Sequence, residues 1–299
     1  MTTATRRCEE SQPLVVCVDD FGLSEAINSA VLELAAGGAI SATSCLVNAP
    51  ACTGGALRSA VATGIDVGLH LNFTEGQPLS AGLRRRWGQF PPLAVFLARA
   101  HARLLPVAEL AEECAAQFDR FRELAGLEPC FLDGHQHVHH LPGVRAAWLP
   151  ILQARAPAAY VRSTEDPLGP GSAFKRWVLR RSGGVALGQS LRRAGIPAAS
   201  PLIGTYGFED PDYRSLVQGW LRATRERGSV GLLYCHPGTA SGAGGCPDPI
   251  AAARHREWRY LSSAAWLADL AEHGFRIARG SETFPTGAQA GHARAGDMN

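Results

Sequence analysis

The fold class predicted by this 299-residue chain is α/β: a TIM-like (β/α) barrel of about seven parallel strands, incompletely closed. Three observations predict it. Short apolar runs rich in β-branched residues alternate with stretches of helical periodicity, the order that pairs strands in parallel through crossover helices. Chemistry-bearing residues close at least four of the runs, in VVCVDDFG, GLHLNF, LDGHQHVHH and YCHPG, as they do at the mouth of a barrel. The turn G-x-G-x-x-G is absent after the first strand, which argues against an open dinucleotide-binding sheet.

Leu14 to Val18 is a continuous apolar run short enough for a buried parallel strand, with Asp19 and Asp20 at its carboxyl end. Ser24 caps a helix in which Ile27, Ala30, Val31 and Leu34 recur at helical spacing until Gly37 and Gly38 stop it. Residues 39–47 read as a second strand, 55–63 as a short helix, and Asp66 to Phe73 as a third strand carrying His70. The breakers in QPLSAGLRRRWGQFPP predict a loop over 77–92. Leu93 to Leu124 turns helical, divided at Pro106, with Leu110, Cys114, Phe118 and Phe121 on one side.

Cys130 to Leu132 starts another strand, which ends in the histidine-rich run. Ala146 to Ala154 reads as helix, Ala159 to Arg162 as strand, 163–172 as loop and 173–194 as a basic helix. Pro201 to Tyr206 is the next strand, 213–227 a helix closed by Gly228, and Ser229 to Cys235 the last clear apolar strand. A helix over 262–273 and a strand over 275–278 complete one domain, residues 1–284, and the tail 285–299 reads as disordered.

A hydrophobic share of 46% supplies a sizeable core, so disorder of the body is excluded. With a net charge of +2 and scattered arginines, nucleic acid is not an expected partner. The eight cysteines form no C-x-x-C pair and several lie in apolar runs, which predicts reduced thiols and a cytoplasmic location. The start, MTTATRRCEESQP, has no apolar stretch for a secretory signal, and no segment is long enough for a transmembrane helix.

Side chains alternate along an extended backbone, so Asp19 and Asp20 divide their labour: one carboxylate ligates a cation while the other faces a water as base. The competing reading is a capping pair ahead of Ser24. Period-two spacing puts Gly68, His70 and Asn72 on one face, where His70 is a metal ligand or a hydrogen-bonded core histidine. In LDGHQHVHH, Asp133, His135, His137 and His139 share one parity. In a helix His135 and His139 would ligate together; in an extended strand end the first lies deepest and the others line the mouth. Asp133 is placed to orient a histidine ring. His236, before Pro237 and Gly238, suits proton donation to a leaving group, or is a turn histidine bonded to a carbonyl.

In order and spacing, VVCVDDFGLSEAIN, GLHLNFTEGQPL, LDGHQHVH and YCHPG resemble the YdjC-like carbohydrate deacetylases, a family that includes chitooligosaccharide deacetylases and hopanoid-associated deacetylases. Cys17 and Val18 stand where that family commonly has Asn and Ala. The resemblance implies a barrel of incomplete type and one divalent metal ion, zinc before magnesium, held by Asp20, His70 and His135. It also implies Asp19 as base, His236 as acid and Arg162 as a basic substrate contact, with His137 and His139 left as the substrate-side histidines of the run. The implied reaction removes an N-acetyl group from an amino sugar or glycolipid. A homodimer is compatible with it. Two other classes stay in view: a phosphoesterase on a related barrel, which would want two metals, and a non-catalytic sugar-binding protein with a structural metal closed by four protein ligands.

Overall fold

The computed structural model describes residues 11–239 and 248–284, so the 285–299 tail and most of the 238–249 stretch lie outside the described residues. In chain order the elements are β1 (Gln12–Phe21), α1 (Glu25–Ala36), β2 (Ala42–Cys45), α2 (Gly54–Ala62), β3 (Asp66–Leu71), α3 (Ala81–Trp87), α4 (Leu93–His101) and α5 (Val107–Ala125). There follow β4 (Phe131–Gly134), α6 (Val144–Arg155), β5 (Tyr160–Arg162), α7 (Ala173–Leu179), α8 (Val185–Ala194), β6 (Ala198–Ala199) and β7 (Leu202–Ile203). The last are α9 (Tyr213–Arg227), β8 (Gly231–Cys235), α10 (Ala251–Leu261), α11 (Ala264–Glu272), β9 (Phe275–Ile277) and α12 (Gly280–Thr283).

Eight parallel strands nearly close a barrel in the order β6-β5-β4-β3-β2-β1-β8-β7, and β9 pairs with the first residues of β1. The two edges belong to one short run: β6 pairs with β5 through Val161 and Ala198, and β7, two residues later, pairs with β8 through Leu202 and Leu232. The strand expected over Pro201 to Tyr206 is reduced to β7, and β6, just ahead of it, is not foreseen by the sequence pattern; the two short strands share one barrel position, so the sequence suggests about seven strands.

Strand alternation sorts the core into two clusters. Val15, Cys17, Phe131, Tyr160, Leu232 and Tyr234 pack together inside the barrel. Leu14, Val16 and Val18 point the other way, into the larger cluster shared with the helices. Gly68 belongs to the inner series, and only glycine fits there: a Cβ would lie 2.5 Å from the Phe131 ring. Continuing the inner series by two residues in β1, β4, β5 and β8 reaches Asp19, Asp133, Arg162 and His236, so an apolar floor gives way to a charged layer at the carboxyl ends.

Residues 77–92 are not simply a loop. Ser80 caps α3, its Oγ accepting the Leu83 N–H, and the buried Glu113 carboxylate accepts the N–H groups of Leu79 at 3.1 Å and Ser80 at 2.7 Å. The breakers flank the helix rather than prevent it, and its support comes from α5, 33 residues away in the chain. The helix expected over 173–194 is interrupted by a π turn at Arg180–Gly184. Gly183 and Gly184 allow the backbone to press against the carbonyls of His140 and Thr164. No helix among the described residues is long and apolar enough to cross a membrane.

Candidate functional site

The carboxyl ends of β1, β3, β4 and β8 converge on a cavity of about 1450 Å³ whose wall includes Asp19, Asp20, His70, His135, His137 and His236. Asp20 adopts a left-handed backbone, φ 69°, and the β1–β2 register shifts between Val18 and Phe21. This irregularity overrides strict alternation, so both aspartates face the cavity; Asp tolerates the left-handed region better than most residues.

Asp20, His70 and His135 are buried and bring their ligand atoms within 4.8 Å of one another. Asp20 Oδ1 lies 3.0 Å from His135 Nδ1 and 3.5 Å from His70 Nε2. His70 Nδ1–H donates to Asp133 Oδ1 at 2.6 Å, with Ser44 Oγ 2.8 Å away, which directs Nε2 toward Asp20. Asp133 thus fixes the orientation of the His70 ring through this hydrogen bond. Two imidazoles and a carboxylate, with one ring already fixed by an outer carboxylate, form a donor set that fits a divalent cation.

Burial works against a charged His70, yet Asp133 and Asp20 outweigh it and push the ring up to about 10. Burial likewise opposes a charged His135, while Asp20 and Glu75 lift it to about 9. Asp20 is also desolvated, but Arg254 and His135 hold it well below the usual carboxylate range. Without a cation, both rings therefore hold their protons at pH 7, and uptake of a metal must displace them. We expect release of about two protons per metal at neutral pH and an affinity rising about a hundredfold per pH unit until pH nears 9. Calorimetric titration in buffers of different ionisation enthalpy checks this; uptake without proton release would contradict it.

Arg162 lies beneath this triad rather than in the cavity. The sequence reading made it a substrate contact, but its side chain is wholly buried. Its Nη1 and Nη2 donate to the two Asp19 oxygens at 2.6 and 2.5 Å, and Nη2 also meets Asp133 Oδ2 at 2.6 Å and Cys17 Sγ at 3.2 Å. Cys17, Asp19 and Asp133 form a second group with metal-ligand spacing, and the guanidinium fills it.

His236 ends the inner series of β8, its Nε2 3.9 Å from Asp19 Oδ2. Burial pushes its pKa down to about 4, so the resting ring is neutral. Its backbone N–H donates to Glu257, which also accepts the Tyr206 hydroxyl and is itself raised by burial to about 7.

The histidine run does not keep a common face. Residues His135–His140 form a 3-10 turn in which Gln136 and His137 are both left-handed. His137 reaches the cavity, edge-on to Tyr234 at 5.0 Å. His139, expected at the mouth, is fully buried with Nε2 3.0 Å from the Arg162 carbonyl, and His140 lines the cavity instead, between Thr164 and Ser182. Strand parity fails because the strand stops at Gly134, where a Cβ would meet the His139 backbone at 2.9 Å.

Two contributors escape sequence reading. Arg254 on α10 donates to Asp20 Oδ2 at 2.7 Å and to Asp248 at 2.7 Å. Glu75 Oε1 lies 3.1 Å from His135 Nε2. Nothing local marks Arg254 in AAARHREWRYL, whereas Glu75 stands in a motif already singled out for His70.

The family model described as YdjC-like protein matches residues 13–272. A carbohydrate deacetylase of Homo sapiens is 32% identical, aligned over 88% of this chain and 88% of its own. A chitooligosaccharide deacetylase of Klebsiella pneumoniae (strain 342) is 33% identical over 88% and 96%. Among solved structures, a protein of Enterococcus faecalis V583 described as a candidate cellobiose-phosphate cleavage protein superposes with a TM-score of 0.70 at 18% identity, covering 93% of this chain and all of that one. An uncharacterised protein of Agrobacterium tumefaciens C58 gives 0.53 at 11% identity, covering 92% and 90%. These two share the fold. The family match spans all four strand-end motifs that build the cavity, and both curated relatives align across most of either chain: the chain belongs to the YdjC-like protein family.

Proposed function

We propose that the protein is a metal-dependent hydrolase that removes the N-acetyl group of an amino sugar, giving acetate and the free amine. The observation that carries this reading is the convergence of Asp20, His70 and His135 beside Asp19 and His236 at one cavity mouth. Asp20, His70 and His135 would hold one divalent cation, which when bound supplies Lewis-acid polarisation and lowers the pKa of a water. The two-imidazole set favours zinc over magnesium. The names of the relatives support a carbohydrate amide as substrate.

Asp19, held rigid by Arg162, takes a proton from the attacking water. His236 starts neutral, so it must gain a proton before it can give one. At 3.9 Å, Asp19 Oδ2 and His236 Nε2 lie beyond direct hydrogen-bond reach, so the proton passes by way of one bridging water, and a ring held near pKa 4 then gives it up readily to the departing amine. Asp19→Asn is expected to keep about one metal per chain yet lower acetate release from N-acetylglucosamine oligomers by roughly 10²–10⁴-fold. Near-full turnover would remove Asp19 from the role of base.

A phosphoesterase reading is weakened because Arg162 takes the place that a second cation would need. Metal content near one per chain supports the deacetylase; near two reverses the choice. For the substrate, the segment PPLAVFLARA divides: Phe96 and Ala100 enter the core, while Leu93 and Leu97 line the cavity, as do Phe174 and Val178 of α7. This apolar wall supports a glycolipid beside a free oligosaccharide, and a screen of both classes for released acetate separates them. The free thiols of the described cysteines favour a reducing, cytoplasmic setting.

A further inference from the structure

We propose that Glu75 is the carboxylate that orients His135 for the cation, a positioning residue fixed at the cavity mouth by Asn72. The inference rests on the metal-centre reading above. Each ligand imidazole stands between Asp20 and a second carboxylate. His70 turns Nε2 toward Asp20 and hydrogen-bonds Asp133 through Nδ1; His135 turns Nδ1 toward Asp20, and its buried Nε2, which has no aligned hydrogen-bond partner among the described residues, lies 3.1 Å from Glu75 Oε1, so that a small turn of the half-exposed carboxylate completes the bond. Ligating histidines characteristically donate the remaining ring N–H to such a group, which sets ring orientation and raises basicity.

The backbone around Glu75 is built for this placement. Asn72 Oδ1 accepts the N–H groups of Thr74 and Glu75, both at 3.1 Å, and Asn72 Nδ2 donates to the Glu75 carbonyl at 2.8 Å. Asn72 is itself pinned to α5, its N–H donating to Gln117 Oε1 at 3.1 Å and its carbonyl accepting from Gln117 Nε2 at 2.8 Å. Asn72 is buried, whereas the Glu75 side chain is 44% exposed on the cavity wall. Hydrogen bonds that are buried at Gln117 and part-buried at Glu75 thus fix the backbone from which the carboxylate projects beside His135.

The test titrates zinc against a chromophoric chelator using the full chain, its Glu75→Gln and Glu75→Ala variants, and Glu25→Gln, which removes a negative charge from the same cavity wall without touching His135. Glu75→Ala is expected to bind zinc about 10–100-fold more weakly, Glu75→Gln also measurably more weakly, and Glu25→Gln within about twofold of the parent. The cobalt(II) absorption bands of Glu75→Gln should shift as well, a change in ligand field that altered folding alone would not produce. Unchanged affinity and bands in both Glu75 variants overturn the inference, as does an equal loss in Glu25→Gln. A parent protein that takes up no metal overturns the metal-centre reading itself. Glu75→Gln is isosteric, so it keeps the measurement readable if the alanine variant folds poorly.

Discussion

Arg162→Ala is expected to destabilise the protein by about 3–5 kcal/mol, because it strands two buried carboxylates. Asp19 and Asp133 both lie against the guanidinium in a layer with almost no solvent access. Burial by itself disfavours the charge on Arg162, but the two aspartates more than restore it and hold the group firmly cationic. Removing the arginine leaves their mutual repulsion uncompensated, apart from what His70 offers Asp133. Lysine would not repair the site, since a single ammonium cannot reproduce the fork that meets both Asp19 oxygens. Urea unfolding of Arg162→Ala, Arg162→Lys and Arg162→Ala/Asp133→Asn measures this, with partial recovery expected in the double variant. A loss under about 1 kcal/mol would place the pair among weakly coupled surface bridges and refute its structural weight.

His70→Ala should abolish stable metal binding and turnover together. It removes one of the three ligands proposed above and leaves Asp133 without the ring it orients. Loss of the cation removes both activation of the water and polarisation of the carbonyl, so the fall in acetate release should exceed the roughly 10²–10⁴-fold expected when general base help alone is lost. Elemental analysis after gel filtration, paired with an acetate assay, distinguishes the cases. A variant that retained one metal per chain at parental affinity would show that His70 is a core histidine instead.

Much of this site was legible because its residues end strands. An apolar run followed by a polar residue announces both the strand and the end at which the polar group emerges, and Asp19, Asp20, His70, His135 and His236 all meet that description. His139 left the mouth for the core, and His140, for which the sequence suggested no role, reached the cavity, because parity holds only while the backbone stays extended, and it stops at Gly134. The nature of Arg162 was visible but its direction was not: an inner position on a three-residue strand sends it under the site, toward acids 143 and 29 residues away in the chain. Arg254 comes from a helix whose pattern carries no mark of function, and its partner Asp20 lies 234 residues earlier.

By itself the sequence determined the alternation of strands and helices, the strand ends that carry chemistry, and the kinship those motifs express, because hydrophobic period and turn chemistry act over a few neighbouring residues. Only the tertiary structure decided that one aspartate pairs with two histidines while the other is locked to an arginine, that the sixth barrel position in chain order is split between two short strands, and which histidines reach the cavity. Those outcomes depend on pairing across the barrel and on charges that must neutralise one another out of water, and no local stretch of chain encodes the partner it will meet.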